Sequence, residues 1–191
     1  MNTRGLPSNL RMGKAAAKGF SLIELLIVVF IILIISAIAI PSLFRSKIAA
    51  NESSAVSSIR QINTAEGTYA SSWGSGYAAA LPNLGGPQAA CAAGATAANA
   101  CLIDDLISVP PFSKSGYTFA AGGTNQVGGI FNGFEVNATA NTVQTTGVRA
   151  FCSDATGVIK YVTPGPAPIG LAAGSCGGIA SVAGTSGPVG N

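Results

Sequence analysis

The 191 residues suffice for one core, yet 9% are charged against 48% hydrophobic, where an ordinary soluble domain is about one quarter charged. Such a composition excludes a chain that is water-soluble along its whole length, so part of it must sit in lipid or against protein. The formal charge of +3 is an end effect: Arg4, Arg11, Lys14 and Lys18 precede the first apolar run, and residues 20–191 hold six Lys/Arg against seven Asp/Glu. No basic patch for nucleic acid remains.

Residues 18–41 read KGFSLIELLIVVFIILIISAIAIP. From 25 to 44 there are twenty positions without a charge, about 30 Å as helix, which is the hydrocarbon thickness of a bilayer. Four basic residues ahead of this run, with no acid among them, put the N-terminus in the cytoplasm and everything after Arg45 across the inner membrane. Four cysteines suit that oxidising side. A secretory signal peptide is one reading of the segment, with a small-residue site at Ala37 and Ala39, but its apolar region is usually about 7–15 residues and lacks an acid. A plain signal anchor has no use for Glu24 or for the Gly19-Phe20 step.

Taken together, Lys18-Gly19-Phe20-Ser21-Leu22-Ile23-Glu24 and the aliphatic run ending in Pro41 closely resemble the class III signal of type IV pilins and pseudopilins. Small residue, Phe, the four-residue step to Glu and the apolar helix stand in one register, and the resemblance covers residues 13–72, beyond which it is one of layout. It implies that prepilin peptidase removes a leader of residues 1–19 by cutting after Gly19, and that the new N-terminal Phe20 is methylated. Glu24 then serves assembly: a carboxylate in hydrocarbon costs about 2.5–3.5 kcal/mol on insertion scales, and the cationic amine that processing creates on a neighbouring subunit's Phe20 would offset it. An acid in a helix's first turn is also favoured by the macrodipole, by about 0.3–1 kcal/mol. Pro41 removes one backbone bond and clashes with the carbonyl four residues back, so a kink or local melting is expected over residues 38–42, either for assembly or as an ordinary bend.

After Phe44 the pattern turns amphipathic. Ile48, Ala55, Ile59, Ile62, Ala65 and Tyr69 recur at spacings of three, four and seven, with Arg45, Lys47, Asn51, Glu52, Ser53, Ser57, Arg60 and Gln61 largely elsewhere. The helix is predicted to reach Ser72, stopped by Gly74 and Gly76. Its half at 20–44 is for membrane and assembly, and its half at 45–73 offers a stripe to a globular domain at 74–191. Tyr69, Trp73 and Tyr77 read as packing aromatics.

From 73 to 111, low charge and abundant Ala, Gly and Pro predict a long loop. Cys91 and Cys101 are close enough in sequence to staple it, and CLIDDLIS predicts helical turns over 101–107 with Leu102, Ile103, Leu106 and Ile107 inward. Asp104 and Asp105 form its solvated face, the sharper alternative being a calcium site, for which two adjacent acids without further ligands are too few. Period-two stretches, GYTFAAGG, FEVNATA and GVRAFCSDATGVIKYV, predict three or four antiparallel strands with a turn at SDATG. Cys152 and Cys176 would tie the last strands to the Gly/Pro-rich tail. Four cysteines allow three pairings, of which the two local ones are favoured.

The fold class is therefore α+β, a long N-terminal helix with a small antiparallel sheet on its outer half, and the resemblance implies the same layout. No histidine is present, and neither a nucleophile elbow nor a phosphate-binding glycine motif occurs, so no enzyme, cofactor or metal is expected. The glycosylation sequons at Asn51 and Asn137 are matches by letter only. The resemblance implies a structural subunit of a type IV pilus, stored in the inner membrane and polymerised with identical subunits into a surface fibre by an assembly platform with ATPases. Such fibres support surface attachment, motility or DNA uptake. The alternatives are a type II secretion pseudopilin and a secreted binding protein with an ordinary signal peptide.

Overall fold

The structure, a computed structural model, describes residues 19–165 and 169–190. Contacts divide the chain between Pro41 and Ser42, and each part is described by itself. Helix α1, Leu22–Trp73, is assigned as helix without interruption, Pro41 included. The local melting expected over 38–42 is thus absent: losing one bond leaves the ladder on either side of the proline intact.

In the second part, one side of α1 is buried along Glu52, Ala55, Val56, Ser58, Ile59, Ile62, Ala65, Glu66 and Tyr69. Positions 48, 52, 55, 59, 62, 66, 69 and 73 alternate steps of four and three, the spacing of a single helix seam. Glu52, expected outside the stripe, lies in it. Trp73 packs at the edge of the core and stacks on Tyr69, ring centroids 5.1 Å apart.

The seam faces a sheet of six strands in sequence order, every neighbouring pair antiparallel. These are β1 (Ser113–Lys114), β2 (Tyr117–Val127), β3 (Ile130–Ala140), β4 (Ala150–Asp154), β5 (Lys160–Val162) and β6 (Ser186–Pro188). Two strands more than the expected maximum form because the tail folds back as β6 and a two-residue β1 covers the start of β2. Strands β2 and β3 turn at Gly128-Gly129, both at positive φ (59° and 89°), as a two-residue hairpin requires. The SDATG turn closes through Asp154, which accepts the N–H groups of Gly157 at its carbonyl and Thr156 at its side chain.

Residues 133–138 of β3 are buried on both faces. Phe134, Val136 and Ala138 join the core against α1, whereas Glu135 and Asn137 point to the other face, where the tail covers them. Glu135 accepts the N–H groups of Gly174 (2.8 Å) and Cys176 (3.1 Å), and the Asn137 amide donates to the Ile169 carbonyl. Lys160 fixes the same tail from its carbonyl side, donating to Gly177 (2.7 Å) and Ile179 (3.1 Å).

The segment between α1 and the sheet is more regular than expected, with short helices α2 (Leu81–Leu84), α3 (Gln88–Ala93) and α4 (Asp105–Ser108). The predicted turns at 101–107 begin later because Asp104 caps α4, accepting the Leu106 N–H at 2.8 Å. Residues 100–102 instead donate backbone bonds to 83–85. Ile107 is buried and Ile103 packs on the core, but Leu102 and Leu106 are exposed. Asp104 is also no free solvated acid: Lys114 sits 2.9 Å away and, as the largest cause, holds its carboxyl below the usual range. Disulfides join Cys91 to Cys101 and Cys152 to Cys176.

Glu66 is fully buried; its Oε2 accepts the Ala78 N–H at 2.8 Å and its Oε1 meets no partner. Burial raises this carboxyl from 4.5 to about 7, against the lowering effect of the Ala78 bond. Between those values the folded chain keeps a proton that the unfolded chain has released, so stability declines as pH rises through that window and levels off above it. At about 1.4 kcal/mol per pKa unit, the decline is at most about 3–4 kcal/mol. Glu66→Gln keeps an acceptor for Ala78 and removes the ionisation. Thermal melts from pH 4.5 to 8 are expected to show a shallower decline for this variant, Glu135 supplying the remaining slope through its own burial-raised carboxyl; identical slopes would refute the assignment.

Candidate functional site

The candidate site is the first part of α1 and the residues that open it. Ser21 immediately precedes the helix, and its carbonyl accepts the N–H groups of Glu24 (3.1 Å) and Leu25 (3.2 Å). Glu24 thus stands third in the helix, where free N–H groups favour an acid. Ser-x-x-Glu is also the spacing of a capping box, a signal legible in the sequence; the bonds present are the backbone ones. Glu24 is exposed. A Cβ on Gly19 would meet nothing within 4 Å, so no contact among the described residues requires a small residue there. The expected leader lies, apart from Gly19, outside the described residues.

From Phe20 to Phe44, eighteen large apolar side chains are each at least 47% exposed. They include Leu25, Val29, Leu33 and Phe44, and they occupy every face of the helix, since each of the residues 25–35 is exposed. Soluble monomers seldom leave more than a few hundred Å² of contiguous apolar surface open. The segment is long and apolar enough to cross a membrane. A helix that is apolar all round has to be covered all round, by lipid or by other apolar helices.

The prokaryotic N-terminal methylation motif matches residues 14–40 of this chain. It carries the class III signal of type IV prepilins. Gly19, Phe20 and Glu24 fall inside the matched stretch and Pro41 lies one residue beyond it. The proteins built on this prepilin signal are structural pilin and pseudopilin subunits. Comparison with curated proteins and with solved structures found no match.

Outside the matched segment, the polar groups of the body hold it together. Glu52 Oε1 accepts the N–H groups of Val148 (2.9 Å) and Arg149 (3.1 Å), while Oε2 takes the Arg149 guanidinium at 2.8 and 2.7 Å. That guanidinium also lies over the rings of Phe151 and Tyr161, at 5.7 and 5.4 Å. Tyr117 donates to the Arg149 carbonyl at 2.9 Å, and burial pushes its phenol up. Asn51 donates to the Thr146 carbonyl at 2.8 Å, and Asn137 is buried, so the amide of each sequon is engaged within the fold. Sequence reasoning missed Glu52 as an anchor, although filling the seven-residue gap between Ile48 and Ala55 with a residue four on from Ile48 would have found it.

Two variants test this division of labour. A chain starting at Arg45 is expected to stay monomeric in buffer without detergent and to keep both disulfides, whereas the full chain associates unless detergent is present. Glu52→Ala in that shortened chain strips four contacts from residues 148–149, and because the half-exposed Arg149 guanidinium can turn to water the cost is chiefly that of two unpaired backbone N–H groups, about 2 kcal/mol. Size exclusion and denaturant unfolding read both outcomes.

Proposed function

We propose that this chain is a structural subunit of a type IV pilus. The observation that supports this most directly is the coincidence of the methylation motif with a helix whose apolar residues are exposed on every face. In this reading prepilin peptidase cuts after Gly19, and Phe20 becomes the methylated N-terminus. Residues 20–44 anchor the subunit in the inner membrane and later pack with the same segment of identical subunits in the fibre. Residues 45–73 carry the body formed by residues 74–191. An assembly platform with its own ATPases supplies the work of extraction, and the finished fibre at the cell surface serves attachment, motility or DNA uptake.

Glu24 takes its place through the chemistry of processing. Before cleavage there is no amine at Phe20; afterwards there is one, four residues from the acid. In a fibre whose helices are axially offset, the acid of one subunit meets the amine of the next, so register is set by a charge pair that exists only in processed subunits. Pro41 weakens the ladder at one place and lets the helix adjust during extraction. The Gly-rich, disulfide-bearing body, with Lys114 rather than a cation ligand set beside Asp104, favours a pilin over a secretion pseudopilin.

Mass spectrometry of the mature chain is expected to find methylated Phe20 at its N-terminus; a start at Ile40 would refute the proposal and restore an ordinary signal peptide. Glu24→Ala is expected to be cleaved normally yet to leave few sheared fibres, and normal piliation in that variant would sink the register role. Sheared wild-type fibres should contain the chain as a subunit, and its absence from them would assign it to secretion.

A further inference from the structure

Arg45 and Lys47 are the first charges after the apolar run. Both are exposed, and the ion pairs among the described residues, Lys114–Asp104 and Arg149–Glu52, involve neither. Of the six acids of the body, Glu52 is taken by Arg149 and Asp104 by Lys114, Glu66 and Glu135 are buried on backbone N–H groups, Asp154 closes its own turn with Thr156, and exposed Asp105 pairs with neither cation. Cations on the translocated side of a spanning segment work against its orientation, which makes two of them in three residues a feature in want of a partner.

We propose that Arg45 and Lys47 bind the phosphates of anionic phospholipids in the outer leaflet of the membrane that stores the subunit. The inference rests on the membrane-stored reading given above. Twenty uncharged helical residues span about 30 Å, so a bilayer that holds Glu24 at one headgroup plane receives Arg45 and Lys47 at the other. Two residues apart, the two side chains leave the helix about 200° from one another and about 3 Å apart in depth. A single protein partner would engage one face of the helix. A ring of headgroups at one depth engages both, the guanidinium through paired N–H bonds to phosphate oxygens and the ammonium as a point charge. The contact holds the helix at the depth where neither Glu24 nor the cations enter hydrocarbon, and it has to be released when the subunit leaves the membrane.

The test uses the full chain reconstituted in phosphatidylcholine bilayers with trace spin-labelled phosphatidylglycerol or spin-labelled phosphatidylcholine. Electron paramagnetic resonance at low salt reads the motionally restricted fraction of each. The wild-type chain is expected to prefer the anionic label, and Arg45→Gln with Lys47→Gln to lower that preference about fivefold or more. The basic leader contributes equally to both. Arg60→Gln, about 22 Å further along the helix, is expected to leave the preference unchanged. An unchanged preference in the double variant overturns the proposal and assigns the cations to a protein partner, and an equal loss in the Arg60 variant overturns it as a nonspecific effect of charge. If neither label shows a restricted fraction, the helix is not in the bilayer and the membrane-stored reading itself fails.

Discussion

A sheet can cover one side of a helix and no more. That constraint organises the whole of α1: where its apolar residues keep to one seam, from Ile48 to Trp73, the sheet and the short helices beside it cover them, and where they occupy every face, from Leu25 to Phe44, no one-sided cover could. The first half therefore depends on a solvent or partners that surround it. Burial of Ile59 and Ile62 and exposure of Val29 and Leu33 are two answers to the same hydrophobic effect, decided by the angular width of the apolar surface.

Within the body, acids serve as grips on backbone. Glu52 takes the N–H groups of Val148 and Arg149, Glu66 that of Ala78, and Glu135 those of Gly174 and Cys176. Each of these segments lies outside the regular helices and strands, where N–H groups would otherwise be unpaired or open to water. The grips differ in their electrostatics. Glu52 has a cation beside it, whereas Glu66 has one N–H for its two oxygens, and burial pushes it toward the neutral form. Arg149 is shared further, between the carboxylate and two aromatic rings, which ties α1, β4 and β5 through one side chain.

The long helix, its two solvents and the strand-forming stretches were legible in the sequence because each rests on periodicity over many residues. FEVNATA gave an alternating strand, and its apolar set, Phe134, Val136 and Ala138, does face the helix. The burial of Glu135 and Asn137 was not legible, because their cover comes from a Gly-rich tail some forty residues later, without periodicity of its own. Glu52 and Glu66 were hidden for a different reason: a helix seam read as apolar passes over acids that stand in it. The turns expected over 101–107 start late for want of one local detail, the capping of α4 by Asp104. In the opening segment the motif placed Gly19, Phe20 and Glu24 in one register, while the continuity of helix through Pro41 depends on the strength of the ladder around it and not on the proline itself.

The backbone grips bear on how this body can change over generations. A carboxylate that holds main-chain N–H groups does not itself select the side chains those residues carry; Ala78 is fixed by its own burial and Gly174 by its positive φ of 81°, whereas half-buried Val148 can change, provided no proline removes the donor. Three acids and two disulfides can thus keep one architecture while exposed side chains around them change. In the fibre proposed above, that would separate the helix, which must match its neighbours, from the exposed side chains of the body, which need not.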